Sequence, residues 1–213
     1  MPIRVQIVDS QRVVRRGLSM LFLTDSDITL VAEAADGQEA IEVARQQQPD
    51  LILMDILLPK VSGAAVIGTL REQQPQLRIV ALSSSSDYAL IGRAILAGAD
   101  TYLHKGNQPR QLIHIIKGVA AGRVILPPAL RQRVLPELPP PTPAQPLTGL
   151  DLSILKLLAA TRSDIEIAEA LQTSIDEVQS AVRHVQEQLS ASTRLLAVLR
   201  AMQLGLIAPE TSG

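Results

Sequence analysis

A short apolar run that ends in a carboxylate constrains the fold of this chain most. Residues 51–54, Leu-Ile-Leu-Met, are unbroken apolar sequence after Pro49, and Asp55 ends the run. This pattern is typical of a strand buried on both faces, as in a parallel sheet covered by helices. Pro59 and Gly63 then indicate a loop. Asp55 is therefore expected where open α/β sheets bind ligands, although a lone Asp there could also be a loop or helix-capping residue.

Similar apolar runs alternate with helical patterns through the first 120 or so residues. The predicted strands cover residues 3–8, 28–34, 51–54, 77–82 and 99–103, and the predicted helices cover residues 11–24, 36–48, 63–73, 87–97 and 109–121. Strict alternation of this kind predicts a doubly wound α/β domain with a five-stranded parallel sheet.

Polar side chains follow four of these strands, at Asp9, Asp55, Ser83 and Lys105. Because the strands are parallel, their carboxyl ends meet at one edge of the sheet, and we expect the four groups to lie together. Two carboxylates can hold a divalent cation through oxygen. An ammonium and a hydroxyl can bind the oxygens of a phosphoryl group.

The motifs at these strand ends resemble the receiver domain of two-component response regulators. They are Ile7-Val8-Asp9, Met54-Asp55 with Pro59 and Gly63, Ala81-Leu82-Ser83, Gly98-Ala99-Asp100 and Tyr102-Leu103-His104-Lys105. Together they span nearly all of residues 3–121.

The resemblance implies a role for each of these residues. Asp55 would accept a phosphoryl group from the phosphohistidine of a sensor histidine kinase. Mg²⁺ would be held by Asp9, Asp55 and the backbone carbonyl of Leu57. Ser83 and Lys105 would contact the phosphoryl group, and Ser83 and Tyr102 would form the conformational switch.

Ser10 departs from the receiver pattern, which usually has two acids after the first strand. A hydroxyl replaces a carboxylate here, so we expect Mg²⁺ to bind about 10–100-fold more weakly than usual. Ser10 could instead serve as the N-cap of the following helix.

A change of composition separates the α/β pattern from the rest of the chain. Eight prolines fall within residues 127–146, a density that predicts an extended, semi-rigid spacer. A polyproline ligand for another protein is the alternative. We therefore divide the chain into a domain at residues 1–122, a proline-rich linker at residues 123–146 and a second domain at residues 147–213.

The second domain is predicted to be all-α, with four helices and a helix-turn-helix around Gln172-Thr173. It resembles the effector of NarL/FixJ, or LuxR-type, regulators. The resemblance rests on cap and core residues: Leu147-Thr148, residues 154–158, residues 165–168, Leu171, Ser174, Val178, Val182, Val185 and Leu189.

The recognition helix of this domain has lost most of the basic character that favours DNA. Residues 147–213 carry five Lys or Arg against eight Asp or Glu, a net charge of −3. Phosphate attraction drives sequence-independent DNA affinity, so we expect weak or atypical DNA binding. Gln179, Arg183 and His184 are the candidates to read bases, with a solvated helix face as the alternative. Glu177 could serve simply as a capping-box residue.

The last helix carries more apolar residues than one packing stripe needs: Leu195, Leu196, Val198, Leu199 and Met202. This surplus predicts an exposed apolar patch and hence a homodimer, formed through this helix or through the receiver-like domain. The competing expectation is that all five residues bury within one chain.

We therefore predict a cytoplasmic response regulator, not an enzyme, that controls transcription through a LuxR-type domain. The chain has no apolar stretch long enough for a membrane span and no Cys for disulfides or thiolate metal sites. The alternative is a phosphorylation-independent signalling protein whose helix-turn-helix binds protein partners rather than DNA. An α/β enzyme with Asp55 as nucleophile is less favoured, because the chain offers no substrate-pocket signature and no second catalytic base near that edge of the sheet.

Overall fold

The first part of the chain folds as a five-stranded parallel sheet flanked by helices. The computed structural model describes residues 1–85, 87–128, 130–139 and 147–208. The strands are β1 (Ile3–Val8), β2 (Ile28–Ala34), β3 (Leu51–Asp55), β4 (Arg78–Ser83) and β5 (Thr101–His104), and the helices are α1 (Arg12–Phe22), α2 (Gly37–Gln47), α3 (Gly63–Gln73), α4 (Tyr88–Ala97) and α5 (Pro109–Ala120). All pairings are parallel, in the order β2-β1-β3-β4-β5. The predicted doubly wound α/β fold is confirmed, and we call β1 to α5 the α/β unit.

The central strand β3 is buried along its whole length. Because neighbouring side chains of a strand point to opposite faces, Leu51 and Leu53 join one apolar cluster with α1 and α5. Ile52 and Met54 join the other, with α2, α3 and α4. The parallel pairing of β3 with β1 and β4 sets its register and places Asp55, opposite Leu82, at the carboxyl end of the strand.

The residues after α5 differ from the predicted extended spacer. Leu130–Val134 form a π-helical turn and Leu135–Glu137 a 3₁₀ turn, and Leu130, Val134 and Leu138 are buried. Their spacing of four residues places one apolar face against α4, where Val134 approaches Gly92. Pro136 lies in the first turn of the 3₁₀ segment, where proline is tolerated. The rest of the predicted linker, residues 140–146, lies outside the described residues.

The described C-terminal residues, 147–208, form four helices, which we call the helical unit: α6 (Gly149–Ala159), α7 (Asp164–Leu171), α8 (Ile175–Gln188) and α9 (Arg194–Gln203). Capping boxes open α6 at Thr148, α7 at Ser163 and α8 at Ser174. Gln172 ends α7 in the left-handed region, with φ of 53°, and the turn there leads directly into α8. No helix in the described part of the chain is long and apolar enough to cross a membrane.

The apolar residues of α9 do not form the predicted exposed patch. Leu195, Leu196, Val198 and Leu199 are each at most 2% exposed, and Met202 is half-buried. The cause is that α9 packs against more than its own unit. Leu195 lines a small cavity with Val119 and Val124 of the first half, and Gln203 donates hydrogen bonds to the carbonyls of Leu135 and Leu138, at 3.2 and 3.0 Å.

Candidate functional site

Three of the residues predicted to lie at the sheet edge are in direct contact. The Lys105 ammonium donates a hydrogen bond to Asp55 Oδ2 at 2.7 Å and another to Asp9 Oδ2 at 2.6 Å. Asp9 is fully buried and Asp55 is 3% exposed. The cluster thus joins the ends of β1, β3 and β5, and two buried carboxylates share one partly buried cation.

Local backbone geometry fixes the second oxygen of each carboxylate. The amide of Leu57 donates to Asp55 Oδ1 and the amide of Gln11 donates to Asp9 Oδ1, both at 2.9 Å. The loop after Asp55 folds back closely, since a Cβ on Gly63 would lie 2.5 Å from the Ile56 Cα. Glycine is therefore required at this position to form the turn that follows the acid.

The charge of Lys105 is supported by its partners. Burial alone would lower its pKa, but the hydrogen bonds to Asp55 and Asp9 and their negative charges raise the pKa above its ordinary value of 10.5. Lys105 is therefore a permanent cation at neutral pH.

The two predicted switch residues are buried but make different contacts. The Ser83 hydroxyl accepts a hydrogen bond from the Ser85 amide at 2.9 Å, and the Lys105 amide donates to the Ser83 carbonyl. Tyr102 is 6% exposed, and its hydroxyl lies 3.5 Å from the Ser85 carbonyl. Burial, with a smaller contribution from Tyr88, raises the pKa of Tyr102. Both side chains therefore meet the β4–α4 loop at Ser85.

Ser10 is exposed and does not form the N-cap of α1. Gln11 occupies that position without a side-chain cap, and the carboxylate of Asp9 accepts the Gln11 amide instead. In the described parts of the chain, no cluster of three or more His, Asp or Glu side chains could hold a metal. The two carboxylates at the sheet edge, Asp9 and Asp55, are oxygen ligands that fit a Mg²⁺ ion that keeps several waters.

The three candidate base-reading residues do not share one surface. Gln179 and Arg183 lie one turn apart on α8 and line a cleft that faces the α/β unit. Gln179 donates to Asp164 Oδ2 at 3.3 Å, and Arg183 donates to the Ser180 hydroxyl at 2.9 Å. His184 is directed elsewhere, with its Nε2 at 3.8 Å from the Asp151 carboxylate of α6.

Glu177 has the capping role that the sequence allowed. Its carboxylate accepts hydrogen bonds from the Thr173 hydroxyl and from the amide and hydroxyl of Ser174. These bonds, that from Thr173 first, lower the pKa of Glu177 to about 2. The residue is therefore part of the helix start.

A polar network that sequence reasoning missed joins the two units. Arg194, at the start of α9, donates to the Asp164 carboxylate and, at 2.9 Å, to the carbonyl of Gly122 beyond α5. Burial opposes the charge of Asp164, but the hydrogen bond and charge of Arg194, with smaller contributions from Gln179 and Arg78, lower its pKa. No motif marks these residues, because the contact depends on how the two units are placed.

A second contact between the units lies beside the first. Arg123 donates to the carbonyl of Thr161 at 2.9 Å and pairs with Glu166 at 3.0 Å. Together with Arg194 it fixes the starts of α7 and α9 against the end of α5.

Comparison with known proteins agrees with this architecture. The family model described as the response regulator receiver domain matches residues 5–117. The response regulator protein VraR of Staphylococcus aureus is 32% identical over 97% of this chain and all of its own length.

Solved structures give the same result. A two-component response regulator of the LuxR family from Aurantimonas sp. SI85-9A1 is 31% identical with a TM-score of 0.60, over 64% of this chain and 98% of its own. The structure of the RcsB–DNA complex superposes with a TM-score of 0.58 over 98% of this chain and all of that one. Because the two sequences are only 18% identical, this likeness shows a shared fold alone. The chain belongs to the response regulators of two-component systems, with LuxR-type relatives.

Proposed function

We propose that Asp55 is the phosphoacceptor of this response regulator and that a sensor histidine kinase is its phosphoryl donor. The observation that carries the proposal is the contact of Lys105 with both Asp9 and Asp55 at the carboxyl edge of the sheet. An Asp55 oxygen would form a bond to phosphorus while the bond from phosphorus to the histidine nitrogen breaks. Lys105 would then bind the phosphoryl oxygens, since charge-assisted hydrogen bonds to phosphate are strong.

Asp9, Asp55 and the Leu57 carbonyl are the groups that would hold Mg²⁺, which neutralises phosphoryl charge when bound. Receiver domains typically bind this ion at their acidic site. We propose that binding is weak here, because Ser10 supplies a hydroxyl where a third carboxylate would add charge. Ser83 and Tyr102 would transmit the change of state through Ser85, which both contact.

Radiolabelled transfer from acetyl phosphate tests the phosphoacceptor. The native chain should take up label in the presence of Mg²⁺, and Asp55→Asn should not. Asp50→Asn is a matched control, because Asp50 precedes the same strand at its opposite end and accepts the Arg4 amide. Equal labelling of the native chain and Asp55→Asn would overturn the assignment.

We further propose that the helical unit controls transcription by binding DNA weakly. The supporting observations are the helix-turn-helix formed by α7 and α8 and the shared fold with the RcsB–DNA complex. In the present arrangement Gln179 and Arg183 face the α/β unit, so DNA reading would require the units to separate. Separation would also free α9, the helix proposed to pair two copies.

Fluorescence anisotropy with genomic DNA fragments tests this function across salt concentrations. DNA binding predicts an affinity that falls steeply with salt, because bound phosphates release counterions. Arg183→Gln should weaken it by about tenfold, and Arg110→Gln, on α5, should not.

The acidic residues of α8 favour a second candidate, a helical unit that binds a protein partner. This helix carries three acidic residues, Asp176, Glu177 and Glu187, and one basic residue, Arg183. In that case anisotropy would show no DNA binding at any salt concentration, while phosphotransfer to Asp55 would be unaffected.

A further inference from the structure

A cleft of about 560 Å³ separates the α/β unit from α8 and the α8–α9 turn. One wall is formed by the end of α3 and the start of β4, including Arg71, Gln76 and Arg78. The other wall carries Gln179 and Arg183. This volume is within the range of sites that hold small molecules.

Four arginines line the cleft, and two of them are fully engaged. Arg71 donates to the carbonyls of Pro75, Leu77 and Gly98 and to Asp100. Arg194 is held by Asp164 and Gly122. These two arginines build the walls and have little capacity left for a ligand.

Arg78 and Arg183 keep most of their donors. A guanidinium has five N–H groups. Among the described residues, the one side-chain hydrogen bond of Arg78 is a long contact of 3.4 Å to Asp100, and that of Arg183 reaches Ser180. The two arginines face the same cleft from different units.

The charge of the lining favours an anion. Four arginines line the cleft with two carboxylates, Asp100 and Glu187, and Asp164 pairs with Arg194 beside them. Arg71 and Arg194 offset the charges of Asp100 and Asp164, so the charges of Arg78 and Arg183 remain against that of Glu187. The Asp100 carboxylate also accepts hydrogen bonds from Arg78 and from the Ile79 amide. The hydroxyls of the α8–α9 turn and the amides of Gln76 and Gln179 add neutral hydrogen-bonding groups around the cations. Arginine forks match the geometry of phosphate oxygens.

We propose that this cleft binds a small phosphate-bearing anion, with Arg78 and Arg183 as its ligands from the two units. Binding would bridge the units and hold them together. If the proposed DNA function holds, the anion would also compete with DNA, because Arg183 serves both. The binding itself depends neither on that function nor on Asp55.

Isothermal titration calorimetry of the full chain tests the site, with pyrophosphate and ATP as probes and no Mg²⁺ present. We expect saturable binding of pyrophosphate. Arg78→Gln and Arg183→Gln should each weaken it by about tenfold, and Arg110→Gln, an exposed arginine outside the cleft, should not. Equal affinity for the two probes would show that phosphates alone are recognised, whereas tighter ATP binding would add a nucleoside contact; both support the site.

Side-chain NMR of the native chain gives a second measurement that needs no variant. The Nε–H signals of Arg78 and Arg183 should shift on adding pyrophosphate, and that of Arg110 should remain. The proposal is overturned if no probe saturates, if Arg78→Gln and Arg183→Gln bind as tightly as the native chain, or if an acidic peptide binds the cleft and pyrophosphate does not.

Discussion

Arg194 of the helical unit donates a hydrogen bond to the backbone carbonyl of Gly122, just beyond the end of α5, at 2.9 Å. Gly122 has φ of +79°, and a Cβ there would lie 2.5 Å from Arg194 Nη1 and 2.9 Å from Asp164 Oδ1. The contact between the units therefore depends on the absence of a side chain at this position.

Gly122→Ala should separate the two units. The added methyl meets Arg194 and Asp164, and the left-handed backbone costs a further ~1 kcal/mol. Small-angle scattering should show a larger radius of gyration, and sedimentation should show more dimer if α9 is the pairing helix. Gly205→Ala is the matched control, since its φ is +68° and no atom lies within 4 Å of the added Cβ. Identical scattering from both variants would contradict this role for Gly122.

Lys105→Met should make stability depend on Mg²⁺. Without the ammonium, Asp9 and Asp55 are buried carboxylates with no countercharge, and breaking such a contact costs about 3 kcal/mol. Thermal unfolding should show a lower Tm without Mg²⁺ and partial recovery with it. Lys117→Met should change Tm little, because its pairs with Asp25 and Asp27 are more exposed. A Tm of Lys105→Met that does not respond to Mg²⁺ would count against ion binding at this edge.

Ser10→Asp should tighten Mg²⁺ binding. The substitution adds a third carboxylate beside Asp9 and Asp55, and we expect about a tenfold gain in affinity. Calorimetric Mg²⁺ titration measures the change. Ser26→Asp is the control, because Ser26 precedes β2 at the amino edge of the sheet, away from Asp9 and Asp55. It should leave the Mg²⁺ affinity unaltered. Indistinguishable titrations of the native chain and Ser10→Asp would show that the Ser10 hydroxyl does not limit Mg²⁺ affinity.

The titration of Asp164 should report the contact between the units. Its pKa lies below the ordinary 3.8 in the structure, so its stabilising contribution is present above that value and is lost as pH falls towards the folded pKa. Carbonyl-detected NMR should show the Asp164 midpoint rise in Arg194→Gln. The pKa of Asp36 is lowered by hydrogen bonds from the Glu39 backbone amide and from the Lys60 side chain. The titration midpoint of Asp36 should therefore stay constant in Arg194→Gln. A constant Asp164 midpoint would mean that Arg194 does not hold the contact in solution.

The sequence predicted those features that depend on local pattern and strand topology. Parallel strands bring Asp9, Asp55 and Lys105 together because each residue lies at the carboxyl end of its strand. The capping boxes at Ser163 and Ser174 were likewise readable, since their Glu partners lie three residues on.

The features that the sequence did not reveal depend on placement in space. Helical periodicity shows how wide the apolar surface of α9 is, but not that the α/β unit and the segment with Leu135 and Leu138 cover it. Proline density hid the burial of Leu130 and Val134, whose spacing was the available signal. No local sequence pattern around Arg194 or Gly122 indicates that the two residues are in contact.

The most direct measurement is hydrogen–deuterium exchange of the full chain with and without acetyl phosphate and Mg²⁺. We predict faster exchange in α8 and α9 once Asp55 is phosphorylated, because we expect phosphorylation to release the contacts of Arg194 and Gln203. Asp55→Asn should show no change under the same conditions. If intact mass shows a phosphoryl group on the native chain while exchange in α8 and α9 stays the same, phosphorylation of Asp55 does not release the helical unit.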